Sequence, residues 1–599
     1  MGFGKDNKKK KCIVAGVVTG LLVIMVVSVA VIANQHAHSC KKKPDVNIKM
    51  TSKAVEAVCA PTDFKETCVN SFMKASPNST EPLDLIKLSF NITIQAIKDG
   101  VKKSSVELKA KADHETKGSL ELCETLMNDA IDDLTKCFDN FAGFSVDQIE
   151  KFVYDLRVWL SGSISYQQTC MDAFEEVKSI LAQDMKDIFK PSKELTSNSL
   201  AMITSMSSMF GKSNITALQD TDPCRSIGDN TFWRSVVKWT VSRIPKATGD
   251  LGNNARKLLY AEDGFPSWVG PDTRRLMAAP QGGVKPNVVV AKDGSGQYKS
   301  INEALKAVPI NNKVPFVIYI KQGVYKEKVV VTKQMYHVTF IGDGPTKTKI
   351  TGSVNFGIGK VRTYLTSSLT VEGDNFVAKN MGIENTAGPP GGQAAALRVS
   401  ADCVVIFNCQ IDGYQDTLYV HSHRQFYRDS TISGTVDFIF GDSIAIFQNC
   451  NIVVRKPMGG QGCMVTAQGR TDVREPTAIV LHNCRIIGEP AYLPVKNINK
   501  AYLGRPWKEF ARTIVMRTTI SDVIDPAGWS AWSGDFALKT LFYAEYENSG
   551  PGSNKAQRVK WPGIQRITRP QALGFAPGRF LSGGSWIPQT GVPYLPNLQ

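Results

Sequence analysis

No Cys-x-x-Cys pair occurs in the 599 residues, so zinc-finger and zinc-ribbon spacings are excluded although thirteen cysteines are present. A Gly-x-Ser-x-Gly elbow is also missing, which removes the serine esterases built on that turn. Histidine is scarce, seven in all; His421 and His423 flank a strand-like run with no His-Glu-x-x-His partner and read as structural. The string GDGPTKT at Gly342 lacks the glycine before lysine that a phosphate loop needs, and is a turn. No metal and no cofactor is expected. Acidic charge is short relative to basic, giving a formal +16 and an anionic partner of nucleic-acid, lipid or polysaccharide type.

Residues 13–33 contain no charged side chain, and at about 1.5 Å rise per residue that run spans a bilayer. The preceding basic tail, 1–12, predicts a cytoplasmic N-terminus. A cleaved signal peptide competes, with Ala30 and Ala33 as small residues near a cleavage site. The run exceeds the usual ~7–15 residue signal core, which favours a retained transmembrane anchor. Asp6 stands where N-myristoylation wants Ser or Thr, so that anchor is excluded. On either reading the remainder is exported, in agreement with sequons at Asn78, Asn91 and Asn214 and with an odd cysteine count compatible with several disulfides.

Three regions of different character follow. Residues 51–210 show helical periodicity; Leu120, Leu122, Leu126, Met127, Ile131 and Leu134 recur at three- and four-residue steps, and several such stretches predict an all-α four-helix bundle. Cys59 and Cys68 are placed to close a short hairpin, and Cys123 and Cys170 to tie two helices. Residues 211–279 are irregular and carry basic doublets, Arg256 with Lys257 and Arg274 with Arg275, where an exposed linker invites proteolysis. From 284 to 599 short β-rich runs alternate with turn residues. Aligning FVAKNMGI, VIFNCQI, FYRDSTI, AIFQNCNI and IVLHNCRI puts Asn380, Asn408, Asp429, Asn449 and Asn483 at one position, in steps of 28, 21, 20 and 34. A unit of about twenty residues with insertions predicts a parallel β-helix, its equivalent residues stacked between rungs about 4.8 Å apart.

The same period suggests a site. Gln393, Gln415 and Asp437 lie 22 residues apart, which predicts one face on three successive rungs, with Asp416 beside Gln415. Two carboxylates about one rung apart do not both ionise cheaply, so one becomes a proton donor while the other remains an anionic nucleophile. Tyr414, Tyr419, Phe438 and Phe440 interleave with them as sugar-stacking candidates, although strand alternation turns Phe438 toward the core.

Five strings in order, GVYKEKV, QAAALR, GYQDTLY, GTVDFIFGD and YLGRPWKE, resemble the plant pectin methylesterases from about Val284 to the C-terminus. The resemblance implies a right-handed β-helix that hydrolyses the C6 methyl ester of galacturonate in pectin. It makes Asp437 the nucleophile, Asp416 the acid/base, Gln393 and Gln415 the oxyanion donors and Arg505 the residue holding Asp437. Thr363 and Trp507 match substrate contacts, and Tyr419, Phe440, Tyr502 and Trp529 are candidates for the subsite walls. Activity should then fall at low pH as Asp437 protonates and at high pH as Asp416 loses its proton. Family members carry Cys where this chain has Ser430, so Cys450 is expected to stay a buried thiol. The helical half resembles the pectin methylesterase inhibitor fold, through VCAPTDFKETC and WLSGSISYQQTCMDAFEE. That likeness implies the pairs Cys59–Cys68 and Cys123–Cys170 and a pro-region that silences or chaperones the enzyme. It also implies cutting at RKLL or RRLM by a subtilisin-like protease, delivery to the cell wall, and separate inhibitor proteins as partners, with no nucleic acid. The competing readings are a silent pectin-binding or inhibitory wall protein and a calcium-dependent pectate lyase.

Overall fold

A computed structural model describes residues 45–141, 149–212 and 285–598. The apolar segment 13–33, the sequon Asn214 and the doublets at Arg256, Lys257, Arg274 and Arg275 lie outside the described residues. Among the described residues no helix is long and apolar enough to cross a membrane. The chain forms two compact units: Met1–Gln167 with Lys178–Asp250, and Gln168–Val177 with Leu251–Gln599.

Six helices make up the N-terminal region: α1 (Asp45–Cys59), α2 (Lys65–Ala75), α3 (Pro82–Glu107), α4 (His114–Asn140), α5 (Ile149–Glu176) and α6 (Ala182–Lys212). The last four are long, as the periodicity predicts, and α1 and α2 are added ahead of them. In α4 the side chain of Asp113 caps the first turn by accepting the Thr116 N–H at 2.7 Å. Leu122, Leu126, Met127 and Leu134 are buried on its apolar face, while Leu120 and Ile131 lie at the edge, half-buried. The Cys59–Cys68 disulfide joins α1 to α2, and Cys123 and Cys170 are each disulfide-bonded as well. Asn78 and Asn91 are exposed.

The second unit is a parallel β-helix. Its strands form three sheets of eleven, seven and eight strands, and each coil contributes to the sheets in turn. Aliphatic columns fill the interior, for example Leu369, Leu397, Leu418 and Ile439, all fully buried and in register. The aligned Asn and Asp positions occupy one corner. Asn380, Asn408, Asp429, Asn449 and Asn483 all have φ between 48° and 57°, the left-handed region that Asn and Asp tolerate best. Asn408 donates to the Asn380 side chain at 2.8 Å and Asn483 to that of Asn449 at 2.7 Å, so the ladder binds rungs together. It continues through Arg517 and Glu547, also at positive φ, where residue type gives no hint of it. Cys450 is a free, buried thiol, and Ser430 on the preceding rung accepts the Cys409 N–H and donates to the Arg428 carbonyl.

Candidate active site

Five strands of the seven-stranded sheet position the site: β1 (Leu397–Val399), β2 (Leu418–Val420), β3 (Ile439–Gly441), β4 (Cys463–Gln468) and β5 (Ala501–Gly504). Leu397 pairs with Leu418 and Leu418 with Ile439, so the coil here is 21 residues. Asp416 is level with Asp437, its N–H donating to the Val436 carbonyl at 3.0 Å, whereas ahead of β1 the Ala396 and Leu397 N–H groups both donate to the Thr417 carbonyl and the Ala394 N–H to that of Gln415. Tight turns lead into β2 and β3, each containing one of the aspartates at positive φ, 61° for Asp416 and 50° for Asp437. A Cβ on Gly413 would fall 2.7 Å from Thr417 Oγ1, and one on Gly434 2.2 Å from Phe438 Cβ, which explains the glycine opening both GYQDT and GTVDF. Left-handed backbone at two acidic residues one rung apart costs about 1–2 kcal/mol each, a strain that clusters at functional sites.

Arg505, just after β5, forks onto Asp437 with Nε–Oδ1 at 2.8 Å and Nη2–Oδ2 at 2.6 Å. Gly504 brings that arginine close, since a Cβ there would lie 2.1 Å from Thr466 Oγ1. Both carboxyls are buried. Burial, and then the charge of Asp437, push the Asp416 carboxyl well above the ordinary range. Burial also raises Asp437, but the hydrogen bonds and charge of Arg505 oppose the rise. Of the two, only Asp437 accepts hydrogen bonds from a cation that hold its pKa down, and such an unequal pair can supply an anion and a proton donor from one residue type. Gln393 and Gln415 are half-buried with their amides free of described hydrogen-bond partners, and their backbones are linked through the Ala394 N–H to the Gln415 carbonyl at 3.1 Å.

Aromatic rings run alongside. Tyr419 stacks on Phe440 at 4.2 Å, Phe440 meets Trp507 edge-on at 5.9 Å, and Tyr364, absent from the sequence reading, meets Tyr419 at 6.2 Å. Tyr502 is half-buried in β5, paired with Met464 of β4. Trp529, expected on a subsite wall, is instead 2% exposed in the core and packs on Tyr543 at 4.3 Å. The exposed indole of that segment is Trp532, whose ring lies 4.3 Å from the Arg505 guanidinium. Both tryptophans fall in WSAWSG, and the buried one is that whose backbone bridges to Gly504.

The unit that holds the β-helix also includes Gln168–Val177. Within it Asp172 accepts from Lys508 at 2.5 Å, Glu176 accepts from the Thr363 N–H at 3.1 Å and from its hydroxyl, and Thr169 Oγ1 meets His421 Nε2 at 2.9 Å. His421 is buried, with its other nitrogen 3.0 Å from Ser400 Oγ, and burial holds its pKa well below the usual histidine value. Among the described residues no group of three His, Cys, Asp or Glu side chains is placed to hold a metal.

A parallel β-helix with paired, unequally protonated carboxyls beside an aromatic row has the build of a polysaccharide-modifying enzyme. Comparison with known proteins narrows this. The pectinesterase profile matches residues 287–584, and the profile described as plant invertase/pectin methylesterase inhibitor matches residues 53–202. "Probable pectinesterase/pectinesterase inhibitor 58" from Arabidopsis thaliana is 67% identical over 100% of both chains. "Pectinesterase/pectinesterase inhibitor U1" from Solanum lycopersicum is 36% identical over 98% of this chain and 97% of its own. The solved pectin methylesterase from carrot is 47% identical, with a TM-score of 0.52, over 53% of this chain and 99% of that one. The chain belongs to the pectinesterase/pectinesterase inhibitor family.

Proposed function

We propose that this enzyme hydrolyses the C6 methyl esters of galacturonate units in pectin, with Asp437 as nucleophile and Asp416 as acid/base. The Asp437 carboxylate attacks the ester carbonyl, and the oxyanion that forms is met by the Gln393 and Gln415 amides. Methanol leaves with the proton from Asp416, giving an acyl-enzyme on Asp437. Asp416, now a carboxylate, takes a proton from water as that water attacks the acyl carbon. Asp437 departs as a carboxylate and the product is free galacturonate. The observation that carries this reading is the in-register pair of buried aspartates with Arg505 on only one of them. The test is methanol release from methyl-esterified pectin with a chelator present. Activity that disappears with the chelator, or unsaturated sugar ends in place of methanol, would favour a lyase.

The helical region acts, on this proposal, as a pro-region that keeps the enzyme silent until a subtilisin-like protease cuts at Arg256–Lys257 or Arg274–Arg275. Support comes from Asp172 and Glu176, whose carboxylates occupy Lys508 and Thr363 beside the aromatic row. In a chain whose four basic linker residues are replaced to block cutting, Asp172→Asn with Glu176→Gln should raise methanol release at least tenfold. No increase would remove the inhibitory reading and leave the esterase assignment standing. Exported delivery to the wall is supported by the disulfide-bonded cysteines and the exposed Asn78 and Asn91.

A further inference from the structure

Trp507 follows Arg505, the partner of Asp437, by two residues, and what fixes its indole is a short stretch of backbone at the end of β4. Gly469 lies directly beneath the ring. A Cβ on it would come 2.8 Å from Trp507 Cε3 and 3.1 Å from Cζ3, so any side chain there displaces the indole. The ring is bounded elsewhere by the edge of Phe440 at 5.9 Å and by Lys508 Nζ at 4.9 Å.

The stretch is tied down on both sides. Gly469 N–H donates to the Gly441 carbonyl at 2.9 Å. Gln468, fully buried, donates its amide to Asp442 Oδ1 at 2.9 Å and accepts the backbone N–H groups of Arg470 at 3.1 Å and Arg512 at 2.7 Å. Thr477 adds a hydrogen bond to the same Asp442 oxygen at 2.6 Å. Gly441 and Asp442 end the run that begins at Asp437. The indole is thus referenced to the backbone that carries the proposed nucleophile, and a displacement there changes the distance between ring and carboxylate.

We propose that Gly469 is a positioning residue for substrate recognition: its bare Cα, clamped through Gln468 and Asp442, is the platform that sets Trp507 against the methyl-esterified sugar. The proposal rests on the reading that Trp507 touches substrate, and it concerns binding more than the chemical step. A misplaced wall weakens ground-state and transition-state contacts alike, which raises KM and leaves kcat nearly unchanged.

The experiment is a double-mutant cycle in the full chain, expressed in a plant secretory host and assayed after processing as methanol release from highly esterified pectin. Trp507→Phe removes the ring edge that a Cβ would strike. Gly469→Ala alone should raise KM about five- to tenfold with kcat within about twofold, whereas Gly469→Ala added to Trp507→Phe should cost less than about twofold more. Additive losses, or a loss in kcat alone, would overturn the proposal. An unchanged KM in Trp507→Phe and Trp507→Ala would instead refute the Trp507 reading beneath it. Should Gly469→Ala fail to accumulate, Gln468→Leu supplies the second arm: it removes the hydrogen bonds to Asp442 and to the Arg470 and Arg512 N–H groups, and KM must rise in the same way. A normal KM in that folded variant would count against the platform.

Discussion

Asp437→Asn should lower methanol release by a factor on the order of 10⁵–10⁶, the scale seen when a catalytic nucleophile is removed. Asp416→Asn should also be severely impaired, by about 10²–10⁴-fold, because it removes a proton donor and leaves the attacking group intact. The two variants part company in stability. Asp437 has a half-buried cationic partner in Arg505, whose hydrogen bonds and charge oppose the rise that burial causes. Asp437→Asn should therefore relieve the fold less than Asp416→Asn does. Asp416 has a carboxyl pushed up by burial and then by Asp437. A group whose folded pKa lies above its unfolded value contributes stability at low pH that is lost as pH rises through the folded pKa. Above that point the charged Asp416 is a burden on the fold, and Asp416→Asn relieves it. Its melting temperature should exceed the parent's at neutral and alkaline pH, with the gain disappearing in acid. Thermal melts of both variants at acid and alkaline pH check this; equal shifts in the same direction would refute the division of protonation between the pair.

That division was only partly legible in the sequence. The repeat disclosed the solenoid, because left-handed corners favour Asn and so leave a residue-type record at Asn380, Asn408, Asn449 and Asn483. Where a corner is formed by Arg517 or Glu547, the same backbone conformation leaves no such mark. The spacing of Gln393, Gln415 and Asp437 is 22 at each step, whereas strand pairing from Leu397 to Leu418 to Ile439 runs in steps of 21. The difference is taken up in the turn ahead of β1, where the Ala396 and Leu397 N–H groups share the Thr417 carbonyl, an irregularity with no mark in residue type. The walls were the least legible part. Trp529 and Trp532 share composition and neighbourhood, and the one that is buried is paired with Gly504 through a long-range bridge that no local pattern encodes. Gly469 illustrates the opposite case: a glycine with an ordinary backbone whose function lies in what it leaves room for, visible only once Trp507 is in place.

Arg505→Gln should reduce activity at neutral pH by about 10²–10³-fold and move the acid limb of the kcat/KM profile to higher pH. The direction follows from the causes acting on Asp437. Burial raises its pKa and Arg505 opposes that rise through two hydrogen bonds and its charge. With the guanidinium gone only the raising influence remains, so a smaller fraction of the nucleophile is ionised at any given pH. The loss should accordingly shrink as pH increases, until Asp416 deprotonates and activity falls again. Arg505→Lys should not rescue fully, because an ammonium offers a point charge where the carboxylate is held by a planar fork, and because Trp532 loses the flat cation lying 4.3 Å from its ring. Removing one partner of a buried pair costs up to about 3–5 kcal/mol. Arg505 retains 22% side-chain exposure, so the lower end of that range is the appropriate expectation. The unpaired Asp437 escapes part of that cost by taking up a proton, which makes the destabilisation smaller in acid than at neutral pH. Urea denaturation of Arg505→Gln and parent across that range measures this directly: a pH-independent difference in stability would mean that Arg505 acts on the fold through its packing and not through the charge of Asp437.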